Sequence, residues 1–124
     1  MESDLVTLNQ TFAVMEQRRG RAAQQFFTKL LSTHLLLRRA NGKLMGKAEF
    51  LQSLKTPSPF TQYTIEQLQI ACVAGAEKRA MVTLVMRTED HYFTIRNFHH
   101  IRFFTHTLGG WRLESWYVYE DVWA

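Results

Sequence analysis

The 124-residue chain has a single cysteine, Cys72. An intramolecular disulfide and a cysteine-cluster zinc site are therefore excluded, and a reducing compartment is expected. No stretch reaches the ~18 apolar residues that a transmembrane helix needs. The opening MESDLVTLNQ carries two acids and no apolar run, unlike a secretory leader. These absences predict a soluble, cytoplasmic protein with no membrane contact. A glycine-rich phosphate loop and a Gly-x-Ser-x-Gly elbow are also missing. Cys72 stands between Ala71 and Val73 with no evident base, so inert packing is expected of it.

Positive charge is present but dispersed. The net charge is +4, yet the arginines fall in ones and twos along the chain. No run is basic enough to act as a nucleic-acid-binding tail, so no nucleic-acid partner is expected. Hydrophobic residues make up 46% and aromatics 13%, which argues against disorder. A length of 124 residues suits one domain spanning 1–124.

The hydrophobic spacing changes once along the chain. Leu5, Leu8, Phe12 and Met15 form a helical stripe, predicting a helix over Asp4–Arg19 that breaks at Gly20. A second helix is predicted over Ala22–Leu31 and a third over Lys47–Leu54, stopped by Pro57 and Pro59. His34–Arg39 reads as a short buried strand before an Asn41-Gly42 turn. Long strands follow at Tyr63–Ala74, Arg79–Arg87, His91–Thr107 and Trp111–Asp121. Gly75–Lys78, Thr88–Asp90 and Leu108–Gly110 are the expected turns. Helices followed by consecutive strands predict an α+β fold, with N-terminal helices packed on an antiparallel sheet.

Strict alternation puts Trp111, Leu113, Ser115, Tyr117 and Tyr119 on one face of the last strand, with Trp116 and Val118 on the other. Both faces hold aromatics, so both are expected to be covered. The helices cover one. A second copy of the chain would cover the other, with Trp116 and Val118 as candidate homodimer contacts.

Two stretches, FFTKLLSTHLLLRRANGKLMGKAEFLQSL (26–54) and GGWRLESWYVY (109–119), resemble the nuclear transport factor 2-like superfamily, in particular its SnoaL-like members of unknown function. The resemblance implies a strongly curved, cystatin-like cone of sheet and helices. It also implies a pocket between helices and concave face, and dimerisation through the outer face. The superfamily hosts unrelated activities, among them ketosteroid isomerase, scytalone dehydratase and limonene epoxide hydrolase, so function has to be argued from residues. Aligning the turn glycine with Gly42 puts Arg39 where isomerases carry their catalytic base. Aligning the hairpin glycines puts Arg102 at the oxyanion acid. Arginine can fill neither role near neutral pH, and no Asp or Glu lies between Arg96 and Leu113. Isomerase chemistry is not expected. An epoxide hydrolase-like Asp-Arg-Asp site lacks its acids too.

The remaining pocket candidates are His34, Arg39, Phe98, His100, Arg102, Phe104, Trp111, Tyr117 and Tyr119. On one strand, Phe98, His100, Arg102, Phe104 and His106 share a face. His100 and His106 lie roughly 20 Å apart along it at ~3.3 Å per residue, too far to share an ion. No metal or cofactor is expected. Three functions stay open: binding a small hydrophobic or anionic molecule, a His-centred lyase or hydrolase reaction, and association without catalysis. With no acid near it on its own strand, Arg102 is expected to meet a pocket anion or water.

Overall fold

The computed structural model describes residues 2–73 and 78–120. The expected turn at 75–77, Ala74 and the strand end at Asp121 lie outside the described residues. Helix α1 (Glu2–Arg18) buries Leu5, Asn9, Phe12, Ala13 and Glu16. Leu5, Asn9, Phe12 and Glu16 follow 4-3-4 spacing, so two polar residues sit on the buried stripe. Leu8 and Met15 are only partly buried beside it. Helix α2 (Gly20–Leu30) starts two residues before the expected Ala22. Between the helices Arg19 takes a positive φ of 61° and Gly20 one of 80°. The Arg19 guanidinium holds the corner by donating to the backbone oxygens of Glu16, Ser53 and Thr56.

Strand β1 (Leu31–Arg38) follows α2 directly, and the Gly42 turn leads to the two-residue β2 (Leu44–Met45). Gly42 has φ 86°, a left-handed conformation that glycine adopts without strain. Helix α3 (Lys47–Ser53) precedes the long strands β3 (Phe60–Val73), β4 (Arg79–Asp90), β5 (Ile95–Thr107) and β6 (Gly110–Glu120). The β4–β5 turn lies beyond the predicted Thr88–Asp90. The Asp90 carboxylate accepts from the Tyr92 and Thr94 amides, at 2.8 and 3.0 Å, and this pulls His91–Thr94 out of the ladder despite their β-prone side chains.

The sheet order is β2-β1-β6-β5-β4-β3. The expected antiparallel sheet is in fact mixed, because β1 pairs parallel to β6. No tight turn joins those two strands; a connection through α3 and four other strands does, and such a connection permits parallel pairing.

A register shift between Phe103 and Phe104 leaves Glu114 as an extra residue in β6. Leu113 therefore faces the helices, and so does Trp116 three residues later. Strict alternation fails at this bulge. Trp116 and Val118, expected on the outer face, point to the helices, while Tyr117 and Tyr119 point away.

The helices pack on that inner face around four aromatic rings. Phe12 meets Phe27 and Trp116 edge-on, each at 4.9 Å. Phe50 closes the set at 5.0 Å from Phe27 and 5.4 Å from Trp116. Such edge-to-face pairs add about 0.5–1.5 kcal/mol beyond area burial.

Candidate functional site

Beside this aromatic core, polar residues from α1 meet the inner face of β5. Arg102 is fully buried. Its Nη1 donates to Asn9 Oδ1 at 2.8 Å, and Asn9 in turn donates to the Leu5 carbonyl. The guanidinium carbon lies 3.6 Å from the centre of the Phe12 ring, a cation–π contact. Burial pulls the Arg102 pKa down to about 10, with Glu16 opposing, so the group stays charged at neutral pH. Its Nε is buried without a partner. The expected anion or water is thus preceded by a partner that β5 and β6 do not supply, the amide of Asn9 on α1.

His100 continues the chain of contacts. The Trp116 indole donates to His100 Nδ1 at 2.9 Å, and Arg102 Nη2 lies 3.4 Å from the same nitrogen. An indole N–H only donates, so Nδ1 is the acceptor and the ring proton resides on Nε2. Burial, then the charges of Arg102 and Arg39, hold the His100 pKa well below the usual histidine range. The imidazole is neutral.

A cavity of about 90 Å³ opens beside His100, lined by Glu16, Arg39, Ala40, Phe60, Tyr63, Phe98, Trp116 and Val118. Glu16 is 8% exposed, and its Oε1 accepts from the Tyr63 hydroxyl at 2.9 Å. Burial raises the Glu16 pKa, and Arg102, Tyr63 and Arg39 only partly offset that. Tyr63 is raised well above the usual phenol range by burial and by Glu16. A carboxyl with a raised pKa, a neutral histidine and an arginine therefore share one apolar-walled space.

Of the residues named from sequence, Arg39, Phe98 and His100 line this cavity. Arg102 lies in the network beside His100, and Phe104 is farther along β5 in the packed core. The others are elsewhere. His34 is exposed, next to an irregularity in the β1–β6 pairing. Tyr117 packs against Phe103, and Tyr119, 47% exposed, stacks on His99 at 4.7 Å, both on the outer face. Trp111 lines a separate groove with His106.

The reading from strands missed Glu16, Asn9 and Tyr63. The signal was present as polar residues spaced 4-3-4 with Leu5 and Phe12 on a helix otherwise judged by its apolar residues alone. Among the described residues, no three or more His, Cys, Asp or Glu side chains gather as a metal-ligand group. No helix there is long and apolar enough to cross a membrane.

No protein-family model matches the sequence, and no curated protein matches it significantly. Solved structures do match. One from Cytophaga hutchinsonii, described as nuclear transport factor 2-like, superposes with a TM-score of 0.76 over 98% of both chains, at 11% identity. This chain has the nuclear transport factor 2-like fold. A Pseudomonas aeruginosa protein of the same description and unknown function gives 0.72 over 98% of both chains at 6% identity. The association domain of the Caenorhabditis elegans calcium/calmodulin-dependent kinase II gives 0.69, with 14% identity, over 95% of this chain and 94% of that one. The nuclear transport factor 2-like cone thus accounts for the element order, for the helices on one face of the sheet, and for a cavity at their junction.

Proposed function

We propose that the protein binds a small molecule bearing a carboxylate or carbonyl in the cavity between Glu16 and His100. One observation carries the reading: the Glu16 carboxyl, the His100 ring and Arg39 converge on a space otherwise walled by Phe60, Phe98, Trp116 and Val118. An apolar cavity with a few convergent polar groups is the usual form of a ligand site. Arg102 and Arg39 add positive charge beside the cavity, and that charge favours an anion. At about 90 Å³ the space admits a ligand of only a few non-hydrogen atoms. The test is an NMR titration with pyruvate, acetate and uncharged acetamide. Saturable shifts at Phe98 and Val118 that favour the anions, and weaken in Arg39→Gln and His100→Phe, support the reading. No saturable shift, or equal response in both variants, overturns it.

A second reading, acid–base catalysis on such a ligand, is favoured by Glu16 itself. Ionised Glu16 would remove a proton beside a carbonyl whose oxygen accepts from His100 Nε2–H, a lyase- or isomerase-type step. Deuterium uptake into the pyruvate methyl group in D2O, lost in Glu16→Gln, would support it; equal uptake in both proteins would refute it.

The outer face supports a homodimer within the same proposal. Ile101 pairs with Tyr117 and Phe103 with Ser115 there, and Phe103 and Tyr119 are exposed. The structurally similar domain from the Caenorhabditis elegans kinase is its association domain. A cytoplasmic location is part of this proposal as well and rests on Cys72, which is not packed away as expected but is an exposed free thiol suited to a reducing compartment.

A further inference from the structure

A second concavity lies at the other end of α1 and β5, between Asp4, the last turn of α2 and the β5–β6 hairpin. Its volume is about 390 Å³, within the ~300–1,000 Å³ usual for small-molecule sites. Leu8, Phe26 and Trp111 form its wall and remain only partly buried. The wall is held in place. The His106 ring meets the Trp111 indole edge-on at 4.9 Å, and the His106 amide donates to the Lys78 carbonyl at 2.8 Å. Arg112 donates to the Lys29 carbonyl, tying the end of α2 to β6.

Asp4 and Lys29 line the same groove with opposite charges and form no ion pair with each other. We propose that this groove binds a small zwitterion with an aromatic or branched apolar side chain, of which an α-amino acid is the simplest. Its ammonium faces Asp4, its carboxylate faces Lys29, and its side chain packs on Trp111 and Phe26. The apolar wall supplies most of the affinity, and the two charges set orientation and select a ligand carrying both signs. A ligand of one sign leaves the opposite rim charge unmatched. Exposed charge pairs contribute little each, so losing one should cost roughly three- to fivefold in affinity.

The experiment titrates the full chain with L-phenylalanine, 3-phenylpropionate and phenethylamine, read by NMR shifts and calorimetry. Phenylalanine is expected to shift the Trp111 indole and the Phe26, Lys29 and Gly109 amides saturably, and to bind more tightly than either single-charge analogue. Lys29→Gln should abolish its advantage over phenethylamine, and Asp4→Asn its advantage over 3-phenylpropionate. Both positions are exposed, so these variants should fold normally. No saturable shift, shifts at Phe98 and Val118 instead, equal affinity for all three compounds, or preferences unchanged in both variants would each overturn the proposal.

Discussion

The Arg102 guanidinium and the Asn9 side-chain amide, 93 residues apart in sequence, meet at 2.8 Å in the fully buried interior. That bond ties the first helix to the middle of the sheet, and through Arg102 to His100 and Trp116. Removing Arg102 leaves the Asn9 oxygen without its donor. We expect Arg102→Met to destabilise the protein by about 1–3 kcal/mol, the cost of an unsatisfied buried acceptor. The double variant Asn9→Leu/Arg102→Met should lose less than the sum of the single changes, as urea unfolding will show. Strict additivity would mean that the two residues are not coupled.

Glu16 and His100 should give stability opposite dependences on pH. Glu16 has a raised folded-state pKa, so the folded state holds its proton longer than the unfolded state does. Its contribution is complete below the ordinary carboxyl pKa and is lost as pH rises through the folded value. His100 has a lowered folded-state pKa, so its contribution is lost as pH falls below the ordinary histidine range. Glu16→Gln should flatten the unfolding free energy on the upper side of the carboxyl range, and His100→Gln should flatten it below the histidine range. Unchanged profiles would contradict these protonation states.

Phe27 is fully buried and touches Phe12, Phe26 and Phe50. Phe27→Ala should cost ~3–5 kcal/mol in chemical unfolding. Tyr117→Phe, on the outer face, should be nearly neutral. Similar losses would mean that Tyr117 is as tightly enclosed as Phe27.

Phe103→Asp should shift the proposed homodimer toward monomer in sedimentation while the circular dichroism spectrum stays unchanged. Trp116→Asp should instead unfold the chain, because it places a carboxylate among Phe12, Phe50 and His100. A folded, monomeric Trp116→Asp protein would restore Trp116 to the interface.

The helices and long strands were legible because their apolar periods differ and because Gly42 and the hairpin glycines punctuate them. The inner face of β5 was legible for the same reason: from Phe98 to Phe104 its alternation runs unbroken. The cavity was only half legible. Arg39, Phe98 and His100 lie on strand β5 or at the end of β1, where local pattern places them. Glu16 and Tyr63 reach the same space from α1 and β3, and only tertiary packing brings them together. The direction of β1 was hidden because no hairpin constrains it.

The bulge at Glu114 acts as a phase slip in a two-state code. On one side of it the odd-numbered residues of β6 face indoors; on the other side the even-numbered ones do. Deleting that single residue would make the ladder regular and leave every facing as it is: Leu113 in, Ser115 out, Trp116 in. Pairing Glu114 within the ladder would do the opposite, turning Trp116 and Val118 outdoors and bringing Tyr117 and Tyr119 in. The unpaired residue therefore decides whether the cavity wall is an indole and a valine or two phenols. It also decides which aromatic pair is offered to a second copy of the chain.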